Sequence, residues 1–356
     1  MAVSKKVVLA VVVGAFAAFI GHAYVRIQKL RLVDRELPVK HLNCHYLQGI
    51  DYGAEDITIL KDGLAFLSTG LKFYALPSFS DDPGKMYILD LLHPRPTPVE
   101  LQIRGDLDLS SFNPHGISAY TDPADDSVYL FVVNHPEDKS QVEIFRYVAE
   151  DTLEHLKTII HPLLHDVNDV LAIGVESFYA TNTGYFQNEV LQLLSIVLNW
   201  PWCEVVFYSP DEVRVAANGI LGGNGINMSP DQKYIYVSDI LDHEVDVFER
   251  QEGERLVFIK SVGVGTLCDN IDVDQKTGDL WLGCHPNSAK LLPFNPEDPP
   301  GSEILKIQNI HSEHPVVTQE YIDDGHIIMG STIAAPYEGK LLIGSAFHKA
   351  LYCDLK

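Results

Sequence analysis

The sequence is poor in positive charge, with 26 lysine and arginine residues against 49 aspartate and glutamate residues and a formal net charge of −23 at pH 7. Proteins that bind nucleic acids neutralise phosphates with basic side chains, so this balance argues against a nucleic-acid partner. The glycine-rich segment around Gly222 matches neither a dinucleotide-binding fingerprint nor a P-loop. A segment beginning at Asp272 starts like an EF-hand loop but lacks the glycine at position six and the closing glutamate. So acidic a chain is nevertheless compatible with divalent cations.

What the chain does contain is a pattern that recurs six times. Each copy places acidic, amide or small polar residues before a short strand, a turn and a second strand, and the copies lie roughly 46 to 61 residues apart. They begin at or next to Glu55, Asn113, Asn168, Asn224, Asp269 and Gly330. Blade-length spacing with strand–turn–strand content predicts an all-β fold, a six-bladed β-propeller. We therefore expect a single propeller domain over residues 41–356 rather than several domains.

The residues just before the innermost strands of a propeller converge on its central tunnel. Five of them offer oxygen atoms, and none offers sulfur or imidazole: Glu55, Asn168, Asn224, Asp269 and Asn270. An all-oxygen set with two carboxylates suits Ca²⁺, which takes about six to eight oxygen ligands. A single Asn or Asp at such a position more commonly caps a turn. Five in register across the blades predict a calcium ion in the tunnel.

Two histidines occupy comparable places in the repeat. His115 follows Asn113 and Pro114 at the start of an inner strand, and His135 ends the partner strand of the same blade. Because a hairpin brings its outer ends together, we expect both imidazoles at one mouth of the tunnel. Paired imidazoles beside a metal can supply a general base and a proton shuttle. We predict those roles for His115 and His135.

Residues 1–40 differ in character from the rest of the chain. Lys5 and Lys6 precede an apolar run at 7–20, and a basic segment follows. This order is typical of a secretory signal, and the run is short for a membrane-spanning helix. Cleavage after the small residues at 21–23 and retention as a membrane-lying anchor are both consistent with it. We expect a protein of the secretory pathway, either extracellular or associated with a membrane.

The segment at about 185–202 also departs from the blade pattern. Its apolar residues recur at helical spacing, and Trp200 and Trp202 follow them. Two interpretations stay open: a helical lid over one end of the tunnel, or an interfacial helix with its aromatic residues at a lipid boundary. Together with the hydrophobic N-terminus, this insert favours contact with a membrane or lipoprotein surface.

Five cysteines are compatible with export. Cys44 begins the first repeat region and Cys353 lies near the end of the chain. A propeller commonly closes by combining strands from both chain ends in one blade, so these two cysteines are placed to meet. A disulfide between them would stabilise the fold by closing a very long loop.

For the remaining cysteines, Cys203, Cys268 and Cys284, we expect buried free thiols. The neighbours Cys284 and His285 resemble a nucleophile and its base, but adjacent strand residues point to opposite faces of a sheet. The single glycosylation sequon begins at Asn227, three residues after Asn224. Its position near the predicted tunnel argues against a glycan at that site.

Several strings make the chain recognisable. SFNPHGIS at 111–118, VVNHP at 132–136, NGIN at 224–227, DLWLGCHPN at 279–287 and KALYC at 349–353 resemble the vertebrate serum paraoxonase family, over nearly the whole chain. The resemblance implies a six-bladed propeller with two Ca²⁺ ions in its tunnel. It places the catalytic ion on Glu55, Asn168, Asn224, Asp269 and Asn270, the structural ion on Asp56, Asp169 and the backbone carbonyl of Ile117, the disulfide on Cys44 and Cys353, and the histidine dyad on His115 and His135.

The resemblance also implies a calcium-dependent hydrolase that opens lactones and cleaves aryl esters and, variably, organophosphate triesters. In such a site the ion polarises the carbonyl and stabilises the oxyanion while His115 and His135 activate water. The rival base is a carboxylate, Asp269 or Glu55. Family members commonly read TNDHYF where this chain has TNTGYF at 181–186, which bears on substrate range. Two other functions are weighed: a non-enzymatic calcium-stabilised binding scaffold and a sugar lactonase of the gluconolactonase type.

Overall fold

The computed structural model describes residues 5–31, 35, 38–73, 76–186, 188–291 and 294–355. Within these residues there are two α-helices, α1 (Lys5–Arg31) and α2 (Glu189–Leu198), and short 3₁₀ helices at Leu109–Ser111, Pro136–Asp138 and Ser288–Lys290. The strands are β1 (Asn43–Tyr46), β2 (Asp56–Ile59), β3 (Leu64–Thr69), β4 (Lys85–Asp90), β5 (Val99–Glu100), β6 (Gln102–Arg104), β7 (Pro114–Thr121), β8 (Val128–Asn134), β9 (Gln141–Ala149), β10 (Thr152–Ile159), β11 (Val167–Gly174), β12 (Ser177–Asn182), β13 (Cys203–Ser209), β14 (Glu212–Ile220), β15 (Gly223–Met228), β16 (Tyr234–Asp239), β17 (Glu244–Gln251), β18 (Arg255–Gly263), β19 (Leu267–Val273), β20 (Leu280–His285), β21 (Ser302–Gln308), β22 (Val316–Asp323), β23 (Ser331–Tyr337), β24 (Lys340–Ser345) and β25 (Leu351–Asp354).

These strands form six sheets, which we number as blades 1 to 6. Blade 1 has the order β2-β3-β4-β5, and blade 2 has β7-β8-β9-β10 with β6 added at its outer edge. Blades 3, 4 and 5 have the orders β11-β12-β13-β14, β15-β16-β17-β18 and β19-β20-β21-β22. Blade 6 joins β23-β24-β25 to β1 from the other end of the chain. The predicted six-bladed propeller is therefore confirmed, and each repeated pattern supplies the first strand of one blade.

The second strands of the blades are apolar on both faces because each blade is packed between two others. In β8, Leu130 to Val133 are all buried, and every residue of β20 is buried. The outermost strands are more exposed, as in β18, where Val257, Phe258 and Ile259 face solvent. Burial thus decreases from the second strands towards the rim, which explains why the second strands are continuous apolar runs and the outermost strands are not.

One hydrophobic cluster lies at each of the six interfaces between neighbouring blades. Between blades 1 and 2, for example, Phe66 and Met86 pack with Leu130. Between blades 6 and 1, Ile57 packs with Leu342. The last interface closes the ring, so the inner strands surround one central tunnel.

Both chain ends are fixed in blade 6. β1 pairs antiparallel with β25, and Cys44 lies opposite Cys353 in the register. A disulfide joins these two cysteines, with a Cα–Cα distance of 4.0 Å and a sequence separation of 309 residues. In the chain-entropy description, a loop of that length contributes about 5–6 kcal/mol to stability.

A second disulfide overturns one expectation from the sequence. Cys268 and Cys284 are bonded to each other, with a Cα–Cα distance of 4.0 Å, so neither is the free thiol that we expected. They face each other directly in the antiparallel pairing of β19 and β20, and such facing residues bring their side chains together. Cys203 is a buried free cysteine, as expected.

The helix α1 is longer than the apolar run that marks it in the sequence. Residues Val7–Gln28 are apolar and long enough to cross a membrane by length and composition, a criterion that a signal sequence near the N-terminus also meets. The expectation of a run too short to span a membrane is therefore corrected, because Arg26 is the one Asp, Glu, Lys or Arg residue within Val7–Gln28. Most of its large side chains are exposed, including Val12 and Phe16.

The helix α2 confirms the helical part of the insert at 185–202. Asn188 caps its N-terminus by accepting a hydrogen bond from the backbone of Leu191, and Asn199 ends it in the left-handed conformation. The two helices contact each other. Arg26 of α1 is buried beside α2, where it forms a salt bridge with Asp242 at 2.7 Å. The apolar surfaces of α1 and α2 thus lie on the same part of the propeller.

Candidate functional site

The predicted site residues lie mostly at breaks in the regular pairing of the inner strands. In blades 2 to 5, two residues of the inner strand stand opposite one residue of its neighbour, which defines a β-bulge. The bulged pairs are His115-Gly116, Asn168-Asp169, Asn224-Gly225 and Asp269-Asn270. A bulge interrupts the strict alternation of side chains between the two faces of a strand. Consecutive residues such as Asp269 and Asn270 can therefore both be buried near the tunnel.

Two of the bulged positions require glycine because the inner strands approach each other closely. A Cβ atom on Gly116 would lie 2.4 Å from Oδ1 of Asp169 in the next blade. A Cβ atom on Gly225 would lie 2.5 Å from the Cα of Asn270. The inner strands of neighbouring blades are thus held close together where they carry the predicted site residues.

Four of the five residues predicted to bind the catalytic ion carry a buried oxygen with no hydrogen-bond partner among the described residues. These atoms are Glu55 Oε2, Asn168 Oδ1, Asn224 Oδ1 and Asn270 Oδ1. A buried polar atom left without a partner costs about 1–3 kcal/mol, and such atoms are rare in native proteins. Four such oxygen atoms together indicate that a bound group interacts with them. A hard cation, which is coordinated by oxygen atoms, meets that requirement.

The remaining contacts hold these oxygens in place. The amide of Asn270 donates to Glu55 Oε1 at 3.0 Å and to the Glu55 carbonyl at 3.1 Å. Asp269, the fifth residue of the set, is buried and its Oδ2 lies 2.9 Å from Nε2 of His285. The described residues contain no group of three or more His, Cys, Asp or Glu side chains arranged to hold a metal. That criterion does not count amide side chains, and three of the five predicted calcium ligands are asparagines, whose carbonyl oxygens can also coordinate calcium.

Negative charge is concentrated around this set. Burial raises the pKa of Glu55 well above its usual range, and the charges of Asp269, Asp56 and Asp169 raise it further. Within the described chain, the basic side chains in ion-pair contact with these four carboxyl groups are histidines, His115 with Glu55 and His285 with Asp269. A bound divalent cation would relieve this repulsion and favour the ionised carboxylates.

The residues assigned to the structural ion are also buried and close to one another. Asp56 accepts hydrogen bonds from the backbone N–H of Ile57 and of Ile117, both at 2.8 Å. Asp169 accepts from Val170 at 2.7 Å and from Ile226 at 2.8 Å. Burial raises the pKa of Asp56 to about 7 and that of Asp169 well above its usual range. Each carboxylate keeps free lone pairs for a cation, whereas the contact shown by Ile117 is through its N–H rather than its carbonyl.

The two predicted histidines are brought together. Nδ1 of His115 lies 3.0 Å from Nε2 of His135, and Nε2 of His115 lies 3.6 Å from Oε1 of Glu55. On the outer side, Nδ1 of His135 lies 3.2 Å from the carbonyl of Lys139. Burial first, and the neighbouring His135 second, lower the pKa of His115 well below its usual range. His115 is therefore neutral at neutral pH and able to accept a proton.

The loop between β3 and β4 is attached directly above the two histidines. The side-chain amide of Asn113 accepts from the backbone N–H of Lys72 at 2.7 Å and donates to the carbonyl of Lys72 at 2.8 Å. The ring of Phe73 lies 5.8 Å from that of His115 and 6.4 Å from that of His135. An aromatic wall therefore adjoins the imidazoles at the tunnel mouth.

His285 is a site residue that the sequence reasoning set aside. It is buried, and its Nε2 contacts Asp269. The signal was present in the repeat, because His135-Pro136 directly follows β8 in blade 2, and β20 in blade 5 ends at His285 with Pro286 next. The alternation of side chains along a strand correctly predicts that Cys284 and His285 point to opposite faces of the sheet. It does not exclude His285 from the tunnel.

The sequon residue Asn227 lies on the inner strand β15. Its side-chain amide donates to the carbonyl of Ile271 at 2.9 Å, and its Oδ1 accepts from Met228 at 2.8 Å. A glycan on this nitrogen would require both the hydrogen bond to Ile271 and the packing between blades 4 and 5 to break. The geometry agrees with the doubt raised by its position in the sequence.

Comparisons with known proteins bear on the whole chain. The sequence profile of the family described as Arylesterase matches residues 36–355. Serum paraoxonase/arylesterase 2 of Gallus gallus is 50% identical over 98% of this chain and 99% of its own length. Serum paraoxonase/arylesterase 1 of Homo sapiens is 48% identical over 99% and 100%, and serum paraoxonase/lactonase 3 of Oryctolagus cuniculus is 48% identical over 98% and 99%.

Solved structures with the same architecture are far less similar in sequence. A luciferin-regenerating enzyme superposes with a TM-score of 0.55 at 11% identity, over 88% of this chain and 95% of that chain. A calcium-binding protein, regucalcin, from Agrobacterium tumefaciens superposes with a TM-score of 0.50 at 12% identity, over 88% and 94%. At such low identity these likenesses establish the propeller fold alone.

Proposed function

Because this chain belongs to the arylesterase family, together with the serum paraoxonases, we propose that its tunnel hydrolyses lactones and aryl esters around a resident Ca²⁺ ion. The chain is a carboxylic ester hydrolase of the arylesterase and lactonase type. The observation that supports the site is the group of four unpartnered oxygens buried at one end of the tunnel. The residues that would hold the catalytic ion are Glu55, Asn168, Asn224, Asp269 and Asn270. When bound, Ca²⁺ supplies a Lewis acid that polarises the substrate carbonyl and stabilises the oxyanion.

A second ion is supported by the balance of charge. Glu55, Asp56, Asp169 and Asp269 are all buried, and each of the first three has a pKa raised chiefly by its burial. Four ionised carboxylates are neutralised by two divalent cations. We assign the structural ion to Asp56 of blade 1, Asp169 of blade 3 and the backbone carbonyl of Ile117 of blade 2.

The hydrogen bonds of the two histidines determine which nitrogen acts as the base. A carbonyl only accepts, so the contact with Lys139 requires the proton of neutral His135 to be on Nδ1. Nε2 of His135 is then an acceptor, and the 3.0 Å contact requires the proton of His115 to be on Nδ1. The lone pair of His115 therefore lies on Nε2, on the side of Glu55 and the calcium ligands.

This arrangement gives a route for the proton of the attacking water. His115 Nε2 accepts it while the water oxygen attacks the ester carbonyl, and His115 Nδ1 passes its own proton to Nε2 of His135. When the tetrahedral intermediate collapses, the C–O bond to the leaving group breaks and the histidine pair returns the proton to the departing oxygen. His135 is held in this position by the hydrogen bond that its Nδ1 donates to the carbonyl of Lys139. The rival base Asp269 already shares its Oδ2 with His285, which makes it less available to take a proton from water. His115 is thus the base and His135 the relay.

The proposal is tested by measuring hydrolysis of phenyl acetate, an aromatic lactone, a sugar lactone and an organophosphate triester, with and without a chelator. We expect rapid, chelator-sensitive turnover of the aryl ester and the aromatic lactone. Turnover confined to the sugar lactone would favour a gluconolactonase-type enzyme. Slow, calcium-independent turnover of every substrate would favour a calcium-stabilised binding scaffold and refute the hydrolase.

The two helices support association with a membrane or lipoprotein surface. α1 exposes Val12 and Phe16, and the indole rings of Trp200 and Trp202 stack 4.8 Å apart just beyond α2, both exposed in part. Apolar and aromatic side chains in this combination partition into a lipid interface. Together with a signal-like N-terminus, these side chains support a location in the secretory pathway, on lipoprotein particles or on membranes. Flotation with phosphatidylcholine vesicles should retain the wild-type chain and lose a Val12→Asp, Phe16→Asp variant; equal flotation of both would contradict this.

A further inference from the structure

In blades 2 to 5, one regularly paired pair of residues precedes the bulge that carries the site residues. One residue of the pair lies on the inner strand, and the other, which we call the outer member, lies on the second strand. In blades 2, 3 and 4 the outer members are Asn134, Asn182 and Asp239. Each accepts a hydrogen bond from the backbone just before the inner strand: Asn134 from Asn113 at 2.9 Å, Asn182 from Asp166 at 3.3 Å, and Asp239 from Leu221 at 2.8 Å and Gly222 at 3.0 Å. A polar side chain therefore fixes the backbone at the start of three bulges.

Blade 5 has no such polar residue at the equivalent position. The pair before its bulge is Cys268 opposite Cys284, and the bulge that follows carries Asp269 and Asn270. Here the two strands are joined covalently instead, by the disulfide between the paired cysteines. Both cysteines are fully buried.

The disulfide lies next in the chain to both Asp269 and its hydrogen-bond partner His285. Asp269 follows Cys268 in the chain, and His285, whose Nε2 lies 2.9 Å from the Asp269 carboxylate, follows Cys284. One bond thus fixes both the backbone that carries the carboxylate and the backbone that carries its partner. The other disulfide, Cys44–Cys353, lies in β1 and β25, on the outer side of blade 6.

We propose that the Cys268–Cys284 disulfide is a positioning bond for the calcium ligands Asp269 and Asn270. It takes the place of the hydrogen-bonding Asn or Asp of the other blades, and it rests on the proposed role of these residues in binding Ca²⁺. Groups that hold metal ligands in place typically change metal affinity by about 10- to 100-fold when removed. The disulfide therefore acts on calcium affinity and not on stability alone.

The test uses the full-length chain and compares the two disulfides. Calcium affinity is measured by titrating chelator-treated protein in a calorimeter, and the melting temperature is measured with and without calcium. We expect Cys268→Val, Cys284→Ala to weaken the affinity about tenfold and to reduce the rise in melting temperature that calcium produces. The matched control, Cys44→Ala, Cys353→Ala, should melt lower in both states and keep its calcium affinity within about twofold.

A rescue variant separates positioning from general loosening. Cys268→Val, Cys284→Asn introduces the side chain found at the equivalent position of blades 2 and 3, and it should recover most of the lost calcium affinity. Unchanged affinity in the Val/Ala variant, equal loss in the control, or no recovery with asparagine would each overturn the proposal. Absence of calcium binding by the wild-type protein would instead contradict the proposed function. Should the Val/Ala variant not fold, the control variant is titrated before and after reduction of its remaining disulfide, Cys268–Cys284. Reduction should weaken its calcium affinity about tenfold, and unchanged affinity would overturn the proposal.

Discussion

Replacement of His115 by glutamine is the most informative change to the proposed proton route. Glutamine is similar in length to histidine and still reaches the neighbouring Nε2 of His135, but it has no basic nitrogen. In the wild type the pKa of His115 is held low by burial, so its Nε2 is unprotonated and available at neutral pH. General-base catalysis contributes about 10²- to 10⁴-fold. We therefore expect kcat for an aromatic lactone to fall by about 10²-fold or more.

Replacement of His135 by glutamine should have a smaller effect. His135 does not take the proton from water directly, and its loss removes one 3.0 Å hydrogen bond that fixes the tautomer of His115. A hydrogen bond contributes about 0.5–1.5 kcal/mol, which corresponds to a decrease in kcat of about two- to tenfold. Initial rates at saturating calcium, with kcat and KM determined separately, distinguish the two variants.

The control for both variants is calcium binding, which should remain close to that of the wild type because neither histidine belongs to the proposed ligand set. A His115→Gln enzyme that keeps more than one third of the wild-type kcat would refute His115 as the base. A His135→Gln enzyme that is as impaired as His115→Gln would refute the assignment of separate roles.

Two further predictions concern buried carboxyl groups. Glu55→Gln should raise the melting temperature of the calcium-free protein, because it removes a carboxyl group whose ionisation is disfavoured by burial and by Asp269. It should also reduce the increase in melting temperature that calcium produces. A lower melting temperature both with and without calcium would contradict this. Asp246 lies away from the tunnel, and its burial raises its pKa to about 7 from a usual value of 3.8. Ionising it in the folded state is unfavourable, so its contribution to stability decreases as the pH rises from about 4 to 7 and is constant above that range. Asp246→Asn should therefore stabilise the protein by up to about 4 kcal/mol at pH 8 and have little effect at pH 4, as measured by denaturant unfolding; an equal effect at both pH values would contradict the assignment.

The architecture was predictable because each blade repeats the same order of polar residue, strand, turn and strand. The inner strands begin within a few residues of Glu55, Asn113, Asn168, Asn224 and Asp269. Spacing alone therefore indicated which residues approach the tunnel. The same repeat placed His115 and His135 on one hairpin, where the structure brings their rings together.

What the sequence did not reveal depends on strand register. The bulge in blade 5 shifts the pairing by one residue between Cys268 and Ile271, and no local pattern of apolar residues marks such a shift. Without the register, Cys268 and Cys284 are two isolated thiols, although they face each other in the sheet. His285 was set aside for the same reason, since its contact with Asp269 depends on which residues of β19 stand opposite β20.

The most direct test of the central claim is a calorimetric titration of Ca²⁺ into chelator-treated wild-type protein and two variants of β15. Asn224→Leu removes an oxygen that has no hydrogen-bond partner among the described residues and keeps the branching and the heavy-atom number of the side chain. Asn227→Leu, on the same strand, removes an amide that is already hydrogen-bonded to Ile271. We predict that the first variant binds the catalytic ion at least about tenfold more weakly than the wild type, whereas the second binds it with near-normal affinity. Equal affinity of the wild type and Asn224→Leu would contradict a calcium ion held by the tunnel oxygens.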